Sequence, residues 1–400
     1  MPELNRRRFL IASAGVGAAG LLSGAMAVDW HDLLRAAKDR PLPLDARVLV
    51  ICSLYGGNDG INTVIPYADN AYHDARPGLA YAPADVLHLD QQLALNPALR
   101  GMAQLWGQRR LAIIRGVGYP RPDHSHFRSM DIWQTASPAE PTSTGWIGRW
   151  LDSTGDDPLR AVSIGAVLPP LAIGTKRTAA ALTPTLAADQ KPPVAALAAA
   201  LDALGHDDPT DTPAMAAVAK AYRDTRATDT AFASVNPSGQ QHDSLARQLS
   251  TVAAAINARV PARVYIAQLG GFDTHADERD SQQRQLQTFD QAVSGFFQQV
   301  SGANVTLLAY SEFGRRVRAN ASQGTDHGTA GPVFVAGTAA APVNGGFYGD
   351  EPSLTDLDNG DLKYTTDFRD IYYELMARVL GTDPTPSVGP GRTTLGFLRA

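Results

Sequence analysis

Five short polar clusters in this chain hold the side-chain types that bind metals and move protons: Asn58-Asp59, His124-Ser125-His126, Asp273 with His275, Glu312, and Asp326-His327. Asp, Glu and His supply the oxygen and nitrogen ligands of zinc, manganese or calcium. Two such ions, about 3.5–4 Å apart, need about six or seven ligand groups, and the five clusters supply enough for one ion or two. Ser125 adds a hydroxyl nucleophile that a metal could activate, flanked by His124 and His126 as acid–base groups. The same ions would stabilise charge building on a phosphoryl or sulfuryl oxygen.

Each cluster also has a plainer explanation. Asn58-Asp59-Gly60 is a common turn sequence. Asp123 or Ser125 could simply cap a helix starting near Phe127. Ser125 with one histidine could serve a metal-free serine hydrolase, but no Gly-x-Ser-x-Gly elbow is present. The recurrence of the clusters favours a site over five separate turns.

The elements that must position these groups are apolar runs bounded by turn signals. Arg47–Cys52, Leu111–Val117, Arg263–Ala267, Val305–Tyr310 and Val333–Ala336 read as buried strands, with Ala161–Gly165 as a further one. Helical periodicity marks Phe127–Thr135, Ser244–Val260, Ser281–Val300 and Asp367–Leu380. Strands alternating with helices imply a mostly parallel sheet covered on both faces. In such sheets ligands bind beyond the carboxyl ends of the strands. Asn58-Asp59, His124–His126, Asp273/His275 and Glu312 each follow a strand, and Asp326-His327 sits in a loop just before one. Residues from about 175 to 240, rich in Ala, Asp, Thr and Pro, read as an insertion with helical segments at Val194–Leu204 and Ala214–Tyr222.

Composition narrows the function classes. The net charge of -5 gives no electrostatic case for nucleic acid, and the lone Cys52 excludes an intrachain disulfide and a Cys-rich zinc site. Residues 1–27 read as an export leader. Arg6-Arg7-Arg8-Phe9-Leu10 resembles the twin-arginine motif, Ile11–Gly24 is too short and glycine-rich for a membrane span, and Ala25-Met26-Ala27 suits cleavage. The expectation is a periplasmic or otherwise exported protein, a cargo of the twin-arginine translocase, with no stable membrane span after cleavage. A short N-terminal segment, 28–45, then precedes one α/β domain over 46–400.

Together, Gly56-Gly57-Asn58-Asp59-Gly60, Ser125-His126-Phe127, Gly271-Phe272-Asp273-Thr274-His275, Ser311-Glu312-Phe313-Gly314-Arg315 and Thr325-Asp326-His327-Gly328 resemble the bacterial family called domain of unknown function 1501. That family looks sulfatase-like and close to the alkaline phosphatase superfamily. The resemblance implies a three-layer α/β sandwich and a metal-dependent hydrolase or transferase acting on a small-molecule or glycan-like phosphate or sulfate ester. A non-catalytic binding or assembly protein of the cell envelope is the alternative. The resemblance also implies Asp59 as a first-strand ligand with Asn58 as runner-up, Ser125 as nucleophile, Asp273 and His275 as a ligand pair, and His327 as the late histidine. Three features depart from the superfamily pattern, one being that Asp273 and His275 stand closer together than usual. Glu312 stands where Asp-His is usual, leaving either one metal or Asp326 as a substitute ligand. No Cys-x-Pro-x-Arg is present, so the formylglycine of typical sulfatases is absent.

Overall fold

The computed structural model describes residues 26–28, 30–165, 168–182 and 245–399. Every run read as a strand is one. In chain order the strands that matter are β1 (Met26–Val28), β2 (Val48–Leu54), β3 (Leu111–Gly118), β4 (Ala161–Ile164), β5 (Ala180–Leu182), β6 (Val264–Leu269) and β7 (Val305–Ser311). A hairpin of β8 (Arg315–Ala319) and β9 (Thr325–His327) follows, then β10 (Gly331–Gly337), β11 (Gly346–Tyr348) and β12 (Thr366–Asp367). Among the described residues the central sheet has ten strands in the order β1-β5-β4-β6-β2-β7-β10-β3-β11, with β12 also paired to β3. Its pairings are parallel except at β10, which is antiparallel to both β7 and β3. The fold is therefore mixed α/β with a mostly parallel central sheet.

Strand β2 shows why its sequence is continuously apolar: all seven residues are buried. Val48, Val50, Cys52 and Leu54 face one core, and Leu49 and Ile51 face the other, as the two-residue side-chain period requires. The first core includes Leu33 of α1 (Trp30–Asp39), Met102 of α2 (Arg100–Gly107), Leu249 and Val252 of α5 (Leu245–Asn257), and Phe289 and Val293 of α6 (Glu278–Gln299). The second includes Trp133 of α3 (His126–Thr135), Trp146 of α4 (Trp146–Ser153) and Ile371 of α7 (Phe368–Leu375). Helix, sheet and helix thus form three layers.

Some expectations change. Asp326-His327 is not in a loop but in β9, paired antiparallel to β8 with Arg315 opposite His327. Ala180–Leu182, read as part of the insertion, is a sheet strand, β5. The edge strand β1 overlaps the segment read as a cleavage site. The segments Val194–Leu204 and Ala214–Tyr222 lie outside the described residues, as does the twin-arginine stretch. Among the described residues, no helix is long and apolar enough to cross a membrane.

Asp59 also lands elsewhere than expected. It is fully buried, and Arg76, equally buried, takes both its oxygens: Nη1 contacts Oδ2, and Nη2 lies 3.0 Å from Oδ1. Arg76 then donates Nε to the Val317 carbonyl at 2.9 Å and Nη2 to that of Arg316 at 2.8 Å. Asp59 is therefore the counter-ion that ties the loop after β2 to β8, and the metal-ligand assignment is corrected. Glu278 completes this cluster. Its Oε2 accepts from Thr325 Oγ1 at 2.5 Å. Burial, and then the Asp59 charge, push its carboxyl from 4.5 up to about 9, so at neutral pH it is protonated.

Two outcomes follow in chemical denaturation. Asp59→Asn leaves Arg76 buried without its charge partner and should cost about 3–5 kcal/mol. Between about pH 4.5 and 9 the folded state keeps a proton on Glu278 that the unfolded chain has lost. That contribution is complete below about pH 4.5 and declines as pH rises towards 9. Glu278→Gln should flatten this decline in a pH series of unfolding midpoints.

Candidate metal centre

Strands β6, β2 and β7 are parallel, and β3 runs the same way through the antiparallel β10, so all four end at one edge of the sheet. The loops leaving that edge carry four of the polar clusters, and the β8–β9 hairpin brings the fifth. Gly56 makes the close approach possible. Its φ is +119°, and a Cβ there would fall 2.4 Å from the Asp273 nitrogen, so only glycine lets the loops after β2 and β6 meet.

Asp273 Oδ1 is the point of convergence. It lies 3.0 Å from His275 Nε2, 3.2 Å from His327 Nε2 and 3.5 Å from His126 Nε2. His126, Asp273 and His327 each place a ligand atom within 4.8 Å of the others. His275 Nε2 is also 3.0 Å from His327 Nε2.

The tautomers follow from the partners behind the rings. His126 Nδ1 lies 2.8 Å from Glu312 Oε1; an ionised carboxylate only accepts, so Nδ1 carries the proton. His327 Nδ1 lies 2.8 Å from the His124 carbonyl, again a pure acceptor. With Nδ1 protonated in neutral rings, both Nε2 lone pairs point towards Asp273. The His126 Nε2 atom is buried and, among the described residues, has no hydrogen-bond partner. Lone pairs from two imidazoles and a carboxylate repel one another unless a cation lies among them. A tetrahedral ion with bonds of about 2.0–2.2 Å holds its ligand atoms roughly 3.3–3.6 Å apart. The separations of 3.2 and 3.5 Å about Asp273 match that spacing closely, and His275 stands at the edge as a fourth group. A ring nitrogen fixed by a carboxylate or carbonyl behind it is also the usual support of a metal-binding histidine.

The electrostatics agree. Burial opposes ionisation of Asp273, but the hydrogen bond and charge of Arg315 prevail and hold its carboxyl at about 2. The hydrogen bond to Glu312 raises the His126 pKa, while burial lowers that of His327.

Several predicted residues serve the site from behind or leave it. Glu312 is fully buried and, besides His126, accepts from the Gly56 N–H at 2.9 Å and from Ser311 Oγ at 2.9 Å. It orients His126, and its assignment as a direct ligand is corrected. Asp326 is exposed, 3.8 Å from His275 Nδ1, and accepts from Asn320 at 3.3 Å. Asn58 is buried in a network with Thr63 and Gln282. His124 turns its ring away to Asp361, 2.8 Å distant, and contributes only its carbonyl. Ser125 is the N-cap of α3, its Oγ accepting from the Arg128 N–H at 3.5 Å. Among the described residues, no hydrogen bond joins it to a histidine. Two residues went unassigned by sequence reasoning. Arg315 is fully buried and donates to Asp273 at 2.8 Å. The Phe313 ring packs 4.9 Å from the rings of both His126 and His327. Arg315 looked like part of an ordinary basic segment; its place directly after Ser311–Gly314 was the available signal.

The family model "Protein of unknown function (DUF1501)" matches residues 134–390, more than half of the chain. The chain belongs to that family. The match takes in Asp273, His275, Glu312 and His327. No curated protein matches the sequence. Remote structural likenesses include the zinc complex of the C-terminal periplasmic domain of EcEptC from Escherichia coli, at 10% identity and TM-score 0.34, covering 74% of each chain. Another is a protein in the alkaline phosphatase superfamily from Vibrio parahaemolyticus, at 9% identity and TM-score 0.41, covering 97% of this chain and 78% of that one.

Because Glu312 fixes the ring of His126, Glu312→Gln should weaken zinc binding about 10–100-fold in calorimetric titration, with the fold retained by circular dichroism.

Proposed function

We propose that this protein is an exported, metal-dependent hydrolase or transferase of phosphate or sulfate esters, of the alkaline phosphatase superfamily type. The observation that carries this reading is the buried, unpartnered Nε2 of His126, aimed at Asp273 while Glu312 fixes the other ring nitrogen. His126, Asp273 and His327 would hold one divalent ion, with His275 as a fourth ligand. A nitrogen-rich set favours zinc or manganese over calcium, which takes six to eight oxygens. When bound, the ion supplies a Lewis acid for the oxygens of the phosphoryl or sulfuryl group.

The chain's own groups do the positioning. Arg315 keeps Asp273 ionised, and Glu312 and the His124 carbonyl aim the two rings. A cavity of about 450 Å³ opens beside His126 and Asp273 and is large enough for a small ester. Ser125 is the proposed nucleophile because it is exposed, adjoins His126 and begins a ten-residue helix, whose positive end favours an anion. Export by the twin-arginine translocase rests on Arg6-Arg7-Arg8-Phe9-Leu10.

One observation favours a second reading, a binding protein without turnover: the Ser125 hydroxyl caps a helix and, among the described residues, hydrogen-bonds to no histidine. Metal content and turnover separate the two. Zinc- or manganese-loaded protein should hydrolyse members of a panel of aryl phosphates, phosphodiesters and sulfate esters, and EDTA should abolish this. His126→Ala should lower both metal affinity and turnover by about 100-fold or more. Ser125→Ala should remove turnover while metal content stays unchanged. Stoichiometric metal without turnover on any ester would favour the binding protein; a metal-free, EDTA-insensitive protein would end both metal-based readings.

A further inference from the structure

The cavity beside the ligands has a floor and a wall of opposite character. His126 and Asp273 lie at the floor, where an anion-binding centre would sit. One wall is a single face of α3. Phe127, Met130, Asp131 and Gln134 fall at i, i+3, i+4 and i+7 and all line the cavity. Tyr55 and Pro170 line it as well.

The polar groups of that wall are already engaged. Asp131 is paired with Arg128 at 2.5 Å, and the Gln134 amide donates to the Tyr55 hydroxyl at 2.7 Å. Among the described residues, no Lys or Arg lines the cavity. What remains on offer is the surface of Phe127, Pro170 and the Tyr55 ring. Phe127 stands out: it is 90% exposed, so its ring contributes almost nothing to the core of the fold. An aromatic ring left in water at the mouth of a ligand cavity gains burial only when something apolar covers it.

We infer that this wall is a subsite for an uncharged aromatic group of the ester, with Phe127 as its specificity-determining residue; the inference rests on the ester-hydrolase reading above. A substrate that places its phosphate or sulfate on the His126–Asp273 floor can lay the rest of its body against α3. A ring there covers Phe127. A second anionic group, as in a nucleotide or a sugar bisphosphate, would meet no cation among the described lining residues, since Arg128 is held by Asp131. The substrate class is therefore a monoester of an aromatic alcohol, or of an alcohol carrying an aryl ring near the ester oxygen.

The test uses the full zinc-loaded chain and three ligands in calorimetric titration: 1-naphthylphosphonate, methylphosphonate and neutral 2-naphthol. Naphthylphosphonate should bind at least about ten-fold more tightly than methylphosphonate. Phe127→Ala should abolish that margin and weaken 2-naphthol, while methylphosphonate affinity and melting temperature stay unchanged. Phe127→Trp should restore the margin. Equal affinities of the two phosphonates for the wild-type chain, or a margin that survives Phe127→Ala, would overturn the subsite. A change in sedimentation on Phe127→Ala with unaltered ligand affinities would also overturn it, by showing that a second copy covers the ring. If neither phosphonate binds, the metal-ester reading fails. The subsite is then read from 2-naphthol alone: Phe127-dependent binding supports it, and no binding overturns it.

Discussion

The site depends on one buried cation. Arg315 is fully enclosed, and its guanidinium donates to the carbonyls of Gly57, Thr325, Gly56 and Phe272 and to the carboxylate of Asp273. A charge taken out of water at this depth is tolerable only when nearly every donor is used and a counter-charge is close. The loops after β2 and β6 and the strand β9 are therefore not free to adopt independent positions. Each must present an oxygen to the same planar group. Asp273 is the only carboxylate in that set, so the residue that balances Arg315 is also the one on which three histidine rings converge.

Arg76 solves a similar problem a short distance away by different means. It has Asp59 as its full partner, and Glu278 remains neutral so that the cluster does not hold two anions against one cation. The contrast assigns the carboxylates. Asp59 has both oxygens consumed inside the protein, whereas Asp273 remains half-exposed beside a cavity. Similar residue types at similar strand ends thus have separate surroundings, one holding the hairpin in place and the other lining an open cavity.

This division marks how far the sequence could be read. The strands were legible because runs such as Val48–Leu54 have no polar alternation, and burial on both faces leaves room for none. His126, Asp273, His275 and His327 do come together, as side chains recurring at strand ends that share one edge suggested, although His126 reads in sequence as an acid–base group beside Ser125 and not as a ligand. Asp59 and Glu312 passed the same filter and were misplaced, since whether a carboxylate faces outward or answers a residue behind it depends on contacts distant in the chain. The guanidinium that claims Asp59 is 17 positions away, and the ring that claims Glu312 is 186 away. Ser125 was legible in both its guises, as a cap and as a hydroxyl beside a histidine, and its observed hydrogen bond is the capping one. The strand Ala180–Leu182 was hidden because three residues before an Ala-rich stretch carry no periodicity of their own.

The two imidazoles are steadied by unlike means. His126 leans on the side chain of Glu312, whereas His327 leans on the main-chain carbonyl of residue 124. The first support is written in the identity of a residue. The second is written only in the path of a backbone, set by Pro120 and Pro122 on either side of Arg121, whose φ is +55°. The letter at position 124 could therefore change with little consequence for His327, while a one-residue insertion between Tyr119 and Ser125 would disarm it with every named side chain intact. Half of this centre's alignment is spelled in loop length, which a motif written in residue letters does not register.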